Sequence, residues 1–315
     1  MRIGLDVMGG DYAPAAIVKG AIAAKEELSA DDELVLFGRK SDIEKVFEQC
    51  GGANISDFTI VDCPEVIDMH DSPIKAFKVK PDSSLAVGFG YLKAGKIDTF
   101  ASAGNSGAML VGTMYSVGLA EGVLRPCLAA LIPKEKEGVT VLLDVGVDTD
   151  TKPDTLYQFG LLGSLYAEST LNIKNPRVAL LNIGEEEGKG NLQCKAAYQL
   201  MKDSSYNFVG NAEPREIFSD NVDVIVCDGF VGNLIMKNIE AFARSVAKRG
   251  LVDDFIKRFN YEIYGGLPLL GANKVVIIGH GVSNDKAIKS MILQSKKIYQ
   301  SDIISRLSDS FKANK

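Results

Sequence analysis

Short apolar, β-branched runs recur along the chain, and most of them stop at Gly, Asn or Asp. They predict strands over 2–7, 33–37, 58–62, 99–103, 139–144, 177–182, 222–227 and 274–278. Strings such as VALLNIG and VDVIVCDG are apolar at successive positions, which suits central parallel strands covered on both faces. Between them lie segments of helical periodicity, over 14–28, 83–94, 107–118, 153–168 and 192–202. The first opens with a proline in its first turn. A last segment, 285–312, reads as one long helix or two in succession. Strands alternating with helices specify βαβ units, hence an α/β fold with a mostly parallel sheet. No linker or low-complexity tract interrupts the pattern, so 1–315 reads as a single domain, with two lobes sharing one sheet as the alternative.

Composition narrows the class. Apolar residues make up 46% and charged residues 24% of 315 residues, enough for a sizeable core. A formal net charge of -6 argues against a nucleic-acid partner. The five cysteines (Cys50, Cys63, Cys127, Cys194 and Cys227) are scattered and form no C-x-x-C pair, so neither a disulfide framework nor a zinc site is expected. With no apolar leader at the start and no run of about 18 apolar residues, the expectation is a reduced, cytoplasmic enzyme.

In sheets of this kind ligands bind beyond the carboxyl ends of the strands, so the loops there carry the chemistry. The first, DVMGGDYAP, sets Gly9 and Gly10 between Asp6 and Asp11; it reads as a ligand loop or as a tight turn with Asp11 capping the next helix. The fourth, SAGNSGAML, offers Ser102, Gly104, Asn105, Ser106 and Gly107 at a helix start, donors suited to a phosphate. The Walker pattern is absent. The sixth, LNIGEEEGKGN, follows Asn182 with three glutamates and places Lys189 between two glycines, where its ammonium could meet a phosphate or an oxyanion. Three adjacent glutamates do not converge naturally on one ion, so no metal is expected. The seventh, CDGFVGNLIMK, brings Asn233 to a helix start, and the eighth, GHGVSN, brings His280 and Ser283 to the same edge. A serine-hydrolase elbow, G-x-S-x-G, is missing. The inventory favours phosphate binding and electrostatic stabilisation over proton abstraction.

These strings, together with KPDSSLAVG, LRPCLAALIP, LLDVGVDTDTKP, FVGNAEPREIF and YGGLPLLG, resemble the bacterial phosphate acyltransferases of phospholipid synthesis, the acyl-carrier-protein:phosphate transacylases. The resemblance covers nearly the whole chain. It implies a three-layer α/β/α fold similar to isocitrate dehydrogenases and phosphotransacetylases, a homodimer, and no cofactor. It also implies acyl-ACP and orthophosphate as substrates, and delivery of acyl phosphate to a membrane glycerol-3-phosphate acyltransferase. Val7 stands where the family has Ala, Ser106 where it has Thr, and 144–148 reads DVGVD where members often read DVGAN. The stretch 232–266 is short beside longer members, which carry a helical hairpin tied to membrane contact. Here Ile235, Ile239, Phe242 and Val246 recur at helical spacing, and Lys237, Arg244, Lys248, Arg249, Lys257 and Arg258 outnumber the acids. That basic, amphipathic region suits an acidic carrier protein or an anionic membrane surface, or else an ordinary helix packed on the core or on a second copy.

The expected mechanism is direct attack of phosphate on a thioester, with Lys189 and Asn233 catalytic and Asp6, Gly9, Gly10, Ser102, Gly104, Asn105, Ser106, Gly107, Asn182 and His280 binding phosphate or substrate. Alternatives are an acyl-cysteine route through Cys227, a phosphotransacetylase-like enzyme using acyl-CoA, a metal- and NAD-dependent dehydrogenase of the same fold, and a non-enzymatic adaptor at the membrane.

Overall fold

The computed structural model describes residues 1–51 and 53–313. Its strands are β1 (Arg2–Asp6), β2 (Glu33–Gly38), β3 (Thr59–Asp62), β4 (Thr99–Ser102), β5 (Cys127–Pro133), β6 (Val139–Leu143), β7 (Val178–Leu181), β8 (Phe208–Ala212), β9 (Val224–Val226), β10 (Gly266–Leu270) and β11 (Val275–Gly279). The chain falls into two compact units, Met1–Gly118 with Tyr261–Gln300, and Leu119–Asn260 with the residues from Ser301 on.

In the first unit the strand order is β3-β2-β1-β4-β11-β10. All neighbours are parallel except β10 and β11. β4 and β11 are buried at every position, as their unbroken apolar runs require. The helices are α1 (Ala15–Lys25), α2 (Lys40–Cys50), α3 (Pro73–Val79), α4 (Ser84–Lys93) and α5 (Ser106–Gly112), joined later in the chain by α10 (Asp285–Gln300). Phe37 and Phe89 meet Phe100 edge to face, at 5.7 and 5.1 Å between ring centres, which docks α4 on β2 and β4.

In the second unit the order is β5-β6-β9-β7-β8, parallel apart from β5 against β6. Its helices are α6 (Pro153–Ser169), α7 (Leu192–Lys202), α8 (Gly229–Lys248), α9 (Asp254–Lys257) and α11 (Ile303–Ala313). α6 packs along β6, β7 and β9, and α11 packs on α6. The α/β class read from the sequence is therefore the fold observed. No helix among the described residues is long and apolar enough to cross a membrane.

Three strands escaped the sequence pattern, and each has a reason. β5 carries two alanines and ends in Pro133, β8 is interrupted by Gly210 and Asn211, and β10 contains Gly266 and Pro268. All three are poor in the β-branched residues that mark strands. The apolar stripe expected on α8 also behaves differently. The side buried in this unit is Gly229, Gly232, Met236 and Ala243, whereas Phe242 is 67% exposed.

One ion cluster ties the second unit together. Lys134, just past β5, donates to Asp223 Oδ1 at 2.7 Å, and Arg177 donates to both carboxylate oxygens at 2.9 and 3.1 Å. Lys134 and Asp223 are both buried. Burial alone would raise the Asp223 carboxyl, but the Arg177 and Lys134 hydrogen bonds outweigh it and hold the group at about 2. Asp223→Ala strands a buried ammonium and is expected to cost about 3–5 kcal/mol in urea unfolding. Because the folded pKa is depressed, the benefit is complete above the unfolded value of about 4. The gap between wild type and variant should close as pH falls from there through about 2.

Candidate functional site

In the first unit three strand-end loops interlock. Asp6 closes β1 with its carboxyl buried. Ser102, the last residue of β4, donates its hydroxyl to Asp6 Oδ2 at 2.6 Å and accepts the Gly104 N–H at 2.9 Å. The other carboxyl oxygen accepts the Met8 N–H at 3.0 Å. Burial pushes the Asp6 carboxyl up, with the Ser102 and Ser84 hydroxyls and the Met8 amide pulling the other way. Gly9 lies against this group: a Cβ there would fall 2.5 Å from Asp6 Oδ2 and 2.7 Å from both Gly104 N and Ser102 Oγ. The loop after β11 closes the third side, because Asp11 N–H donates to the Gly281 carbonyl at 2.8 Å. Asp11 thus serves as a bridge between loops; α1 has no side-chain cap.

Asn105 does two jobs. Its Oδ1 accepts the Ala108 N–H at 3.0 Å and caps α5, while its Nδ2 donates to the carbonyls of Asp68, Met69 and Asp71 at 3.0–3.3 Å. The amide therefore pins the 68–71 loop, which carries His70, beside the start of α5. The neighbouring Ser106 is exposed, and Gly107 half-buried. His280 is half-buried against the Tyr261 ring, and its Nδ1 accepts the Val282 N–H at 3.4 Å.

The second unit repeats the plan with different residues. Asn182, just past β7, donates to the Lys189 carbonyl at 3.2 Å and to Asn211 Oδ1 at 3.0 Å, and so shapes the glycine-flanked turn. The turn also needs Gly190, whose φ of +90° and contact with Asn182 exclude a side chain. Lys189 is exposed, with Glu186 3.8 Å from its ammonium. The other two glutamates face elsewhere, Glu185 to Arg215 and Glu187 to Gln199 and Lys202. No group of three metal-ligating side chains occurs among the described residues. Asn233 sits half-buried just past the first turn of α8. A run of hydrogen bonds, Gln193 to the Thr151 carbonyl and then Thr151 Oγ1 and the Gly229 N–H to the Asp148 carbonyl, links the α7 start after Lys189 to the α8 start before Asn233.

The residue that sequence reading missed is Asp144. It is fully buried after β6, with Oδ1 accepting the Leu128 N–H at 2.9 Å and Oδ2 accepting those of Val147 and Asp148 at 2.9 and 2.7 Å. Burial raises its carboxyl, and these amides oppose the rise. The signal was present: Leu-Asp-Val closes both β1 and β6 and is followed by glycine within two residues. Cys127 and Cys227 lie in the same neighbourhood, and burial pushes both thiols well up.

The model of the fatty acid synthesis protein family matches residues 1–306. The chain belongs to that family. The phosphate acyltransferase of Thermoanaerobacterium thermosaccharolyticum is 42% identical over 98% of this chain and 96% of its own length. That of Aquifex aeolicus is 43% identical over 98% and 96%. A phosphotransacetylase from Streptococcus pyogenes superposes with a TM-score of 0.67 at 18% identity, over 95% of this chain and 94% of that one. At that identity the likeness speaks for the fold, the same α/β architecture.

Gly9→Ala is expected to wedge the β1 and β4 loops apart and cost about 1–3 kcal/mol in urea unfolding. Gly90→Ala, in an exposed helical position with nothing within 4 Å of the added methyl, should instead add about 0.5–1 kcal/mol. Equal effects at the two sites would mean that the loops are not closed around Asp6.

Proposed function

We propose that this chain transfers a fatty acyl group from an acyl-carrier-protein thioester to inorganic phosphate, releasing an acyl phosphate for phospholipid synthesis. The observation that carries the reading is near full-length identity of about 40% to phosphate acyltransferases, joined to strand-end loops built from glycine, serine and asparagine. Phosphate at neutral pH is already an anion and needs no strong base. One of its oxygens attacks the thioester carbonyl carbon, forming the new C–O bond and a tetrahedral oxyanion. Collapse breaks the C–S bond, and the proton given up by hydrogen phosphate ends on the departing thiol. The protein's part is to hold the two reactants together and to stabilise the oxyanion.

In this reading the loop 102–107 and the Gly9–Gly10 turn cradle phosphate, with Asp6 and Ser102 shaping the cradle, the exposed Ser106 hydroxyl as a donor and His280 contributing from the loop after β11. Lys189 and Asn233 supply the positive charge and the amide donor for the oxyanion, and Asn182 holds the Lys189 turn. The phosphate alternative with acyl-CoA as donor keeps the same chemistry. Exposed Lys237, Arg244, Lys248 and Arg249, on α8 and just beyond it, give an acidic carrier protein a complementary surface continuous with Asn233. The exposed Phe242 on the same helix fits a homodimer contact, and the basic stretch fits an anionic membrane at which acyl phosphate is handed on. The acyl-cysteine route is disfavoured, because a thiol whose ionisation is suppressed by burial is a poor nucleophile.

Lys189→Ala and Asn233→Ala should each lower turnover with acyl-ACP and phosphate by about 10²–10³-fold, the usual cost of one oxyanion donor. Wild-type turnover in both variants would sink the assignment. Replacing acyl-ACP by acyl-CoA in competition tells which donor the enzyme prefers. Intact-mass measurement after exposure to acyl-ACP should find no acyl adduct.

A further inference from the structure

The first turn of α8 is held from both ends by one loop. Gly229 N–H donates to the Asp148 carbonyl at 2.8 Å. A Cβ on Gly232 would fall 1.9 Å from the Asp144 carbonyl oxygen, and one on Gly229 would fall 2.5 Å from Asp144 Oδ2. Asn233 follows Gly232 directly, and its Nδ2 would lie 3.1 Å from a Cβ on Gly146. Asn233 therefore rests on the loop 145–148. That loop is itself shaped by Asp144, which collects the Val147 and Asp148 amides on one carboxylate oxygen and the Leu128 amide of β5 on the other. The Asp144 backbone adds two anchors, its N–H to the Cys227 carbonyl at 3.0 Å and its carbonyl to the Cys227 thiol at 3.5 Å.

We propose that Asp144 is a positioning residue for Asn233, fixing the side-chain amide through the 145–148 loop without touching substrate. The proposal rests on the catalytic role given to Asn233 above. Three N–H donors converge on this carboxyl, so no other residue type of its size serves. Alanine removes all the acceptors, and asparagine turns one oxygen into a donor that opposes an amide already pointing at it. The loop then shifts, and Asn233 moves with it. A displacement of about 1 Å at a catalytic group is enough to cost about 10²-fold in rate. The first unit supports the idea independently: Asp6 closes β1 in the same way and sets the Ser102–Gly104 loop through the serine hydroxyl. In neither unit is the buried carboxyl the group offered to a ligand.

The test is a double-mutant cycle on turnover with acyl-ACP and phosphate. Asp144→Asn and Asn233→Ala should each lower kcat by about 10²-fold or more, with KM for phosphate changing far less. The double variant should be no slower than the worse single one, since a displaced Asn233 has nothing left to lose. Multiplying losses would overturn the proposal and show Asp144 acting by another route, while leaving the role of Asn233 intact. Wild-type turnover in Asn233→Ala would overturn both. Should Asp144→Asn fail to fold, Gly146→Ala reads the same contact from the loop side. Its φ of +135° and the nearby amide predict a displaced Asn233 and a loss that does not add to Asn233→Ala. Wild-type kcat in Gly146→Ala, or a loss that multiplies with Asn233→Ala, would contradict the account.

Discussion

A buried carboxyl at the end of a strand is the constraint from which the site geometry follows. Removing a carboxylate from water is costly unless hydrogen-bond donors replace the lost hydration. At Asp144 the donors are three backbone amides, and at Asp6 they are a serine hydroxyl and an amide, with Ser84 contributing. The loops can meet this demand only by wrapping tightly around the strand end, and glycines at 9, 229 and 232 allow the approach. The result is a set of loops whose shape is set in the interior.

This organisation suits a reaction in which the nucleophile arrives already charged. Proton abstraction would call for a titrating base poised over the substrate, whereas these loops are built chiefly of glycine, serine and asparagine. What transfer to phosphate requires instead is alignment and a developing negative charge met by fixed dipoles. Those are properties of backbone held in place, and such loops provide them on a protein whose overall charge is negative.

Much of the fold was legible because parallel strands buried on both faces leave an unmistakable apolar run. The runs closing at Asp6 and Ser102 and those of β6, β7 and β11 came out within one or two residues of their observed ends. β5, β8 and β10 were missed where proline, glycine, asparagine or alanine dilute the signal, and tertiary pairing makes the strand. The loops themselves were readable as a class, yet the division of labour inside them was not. Asn105 and Asn182 look like ligand donors in one dimension and prove to spend their amides on backbone carbonyls and a neighbouring asparagine. Asp144 looked unremarkable because its partners offer only main-chain amides, two from the loop that follows it and one, Leu128, from β5. Side chains announce themselves in a sequence; backbone donors do not.

The stripe on α8 makes the same point from the surface. Helical spacing marked Ile235, Ile239, Phe242 and Val246, whereas the side this unit buries is Gly229, Gly232, Met236 and Ala243, chosen for close approach. The central claim, acyl transfer to phosphate, is tested most directly by incubating the purified protein with acyl-ACP and inorganic phosphate and following phosphorus by NMR. The account predicts a new acyl phosphate resonance that appears only when both substrates are present. An intact thioester with no new resonance, or release of free fatty acid in its place, would contradict it.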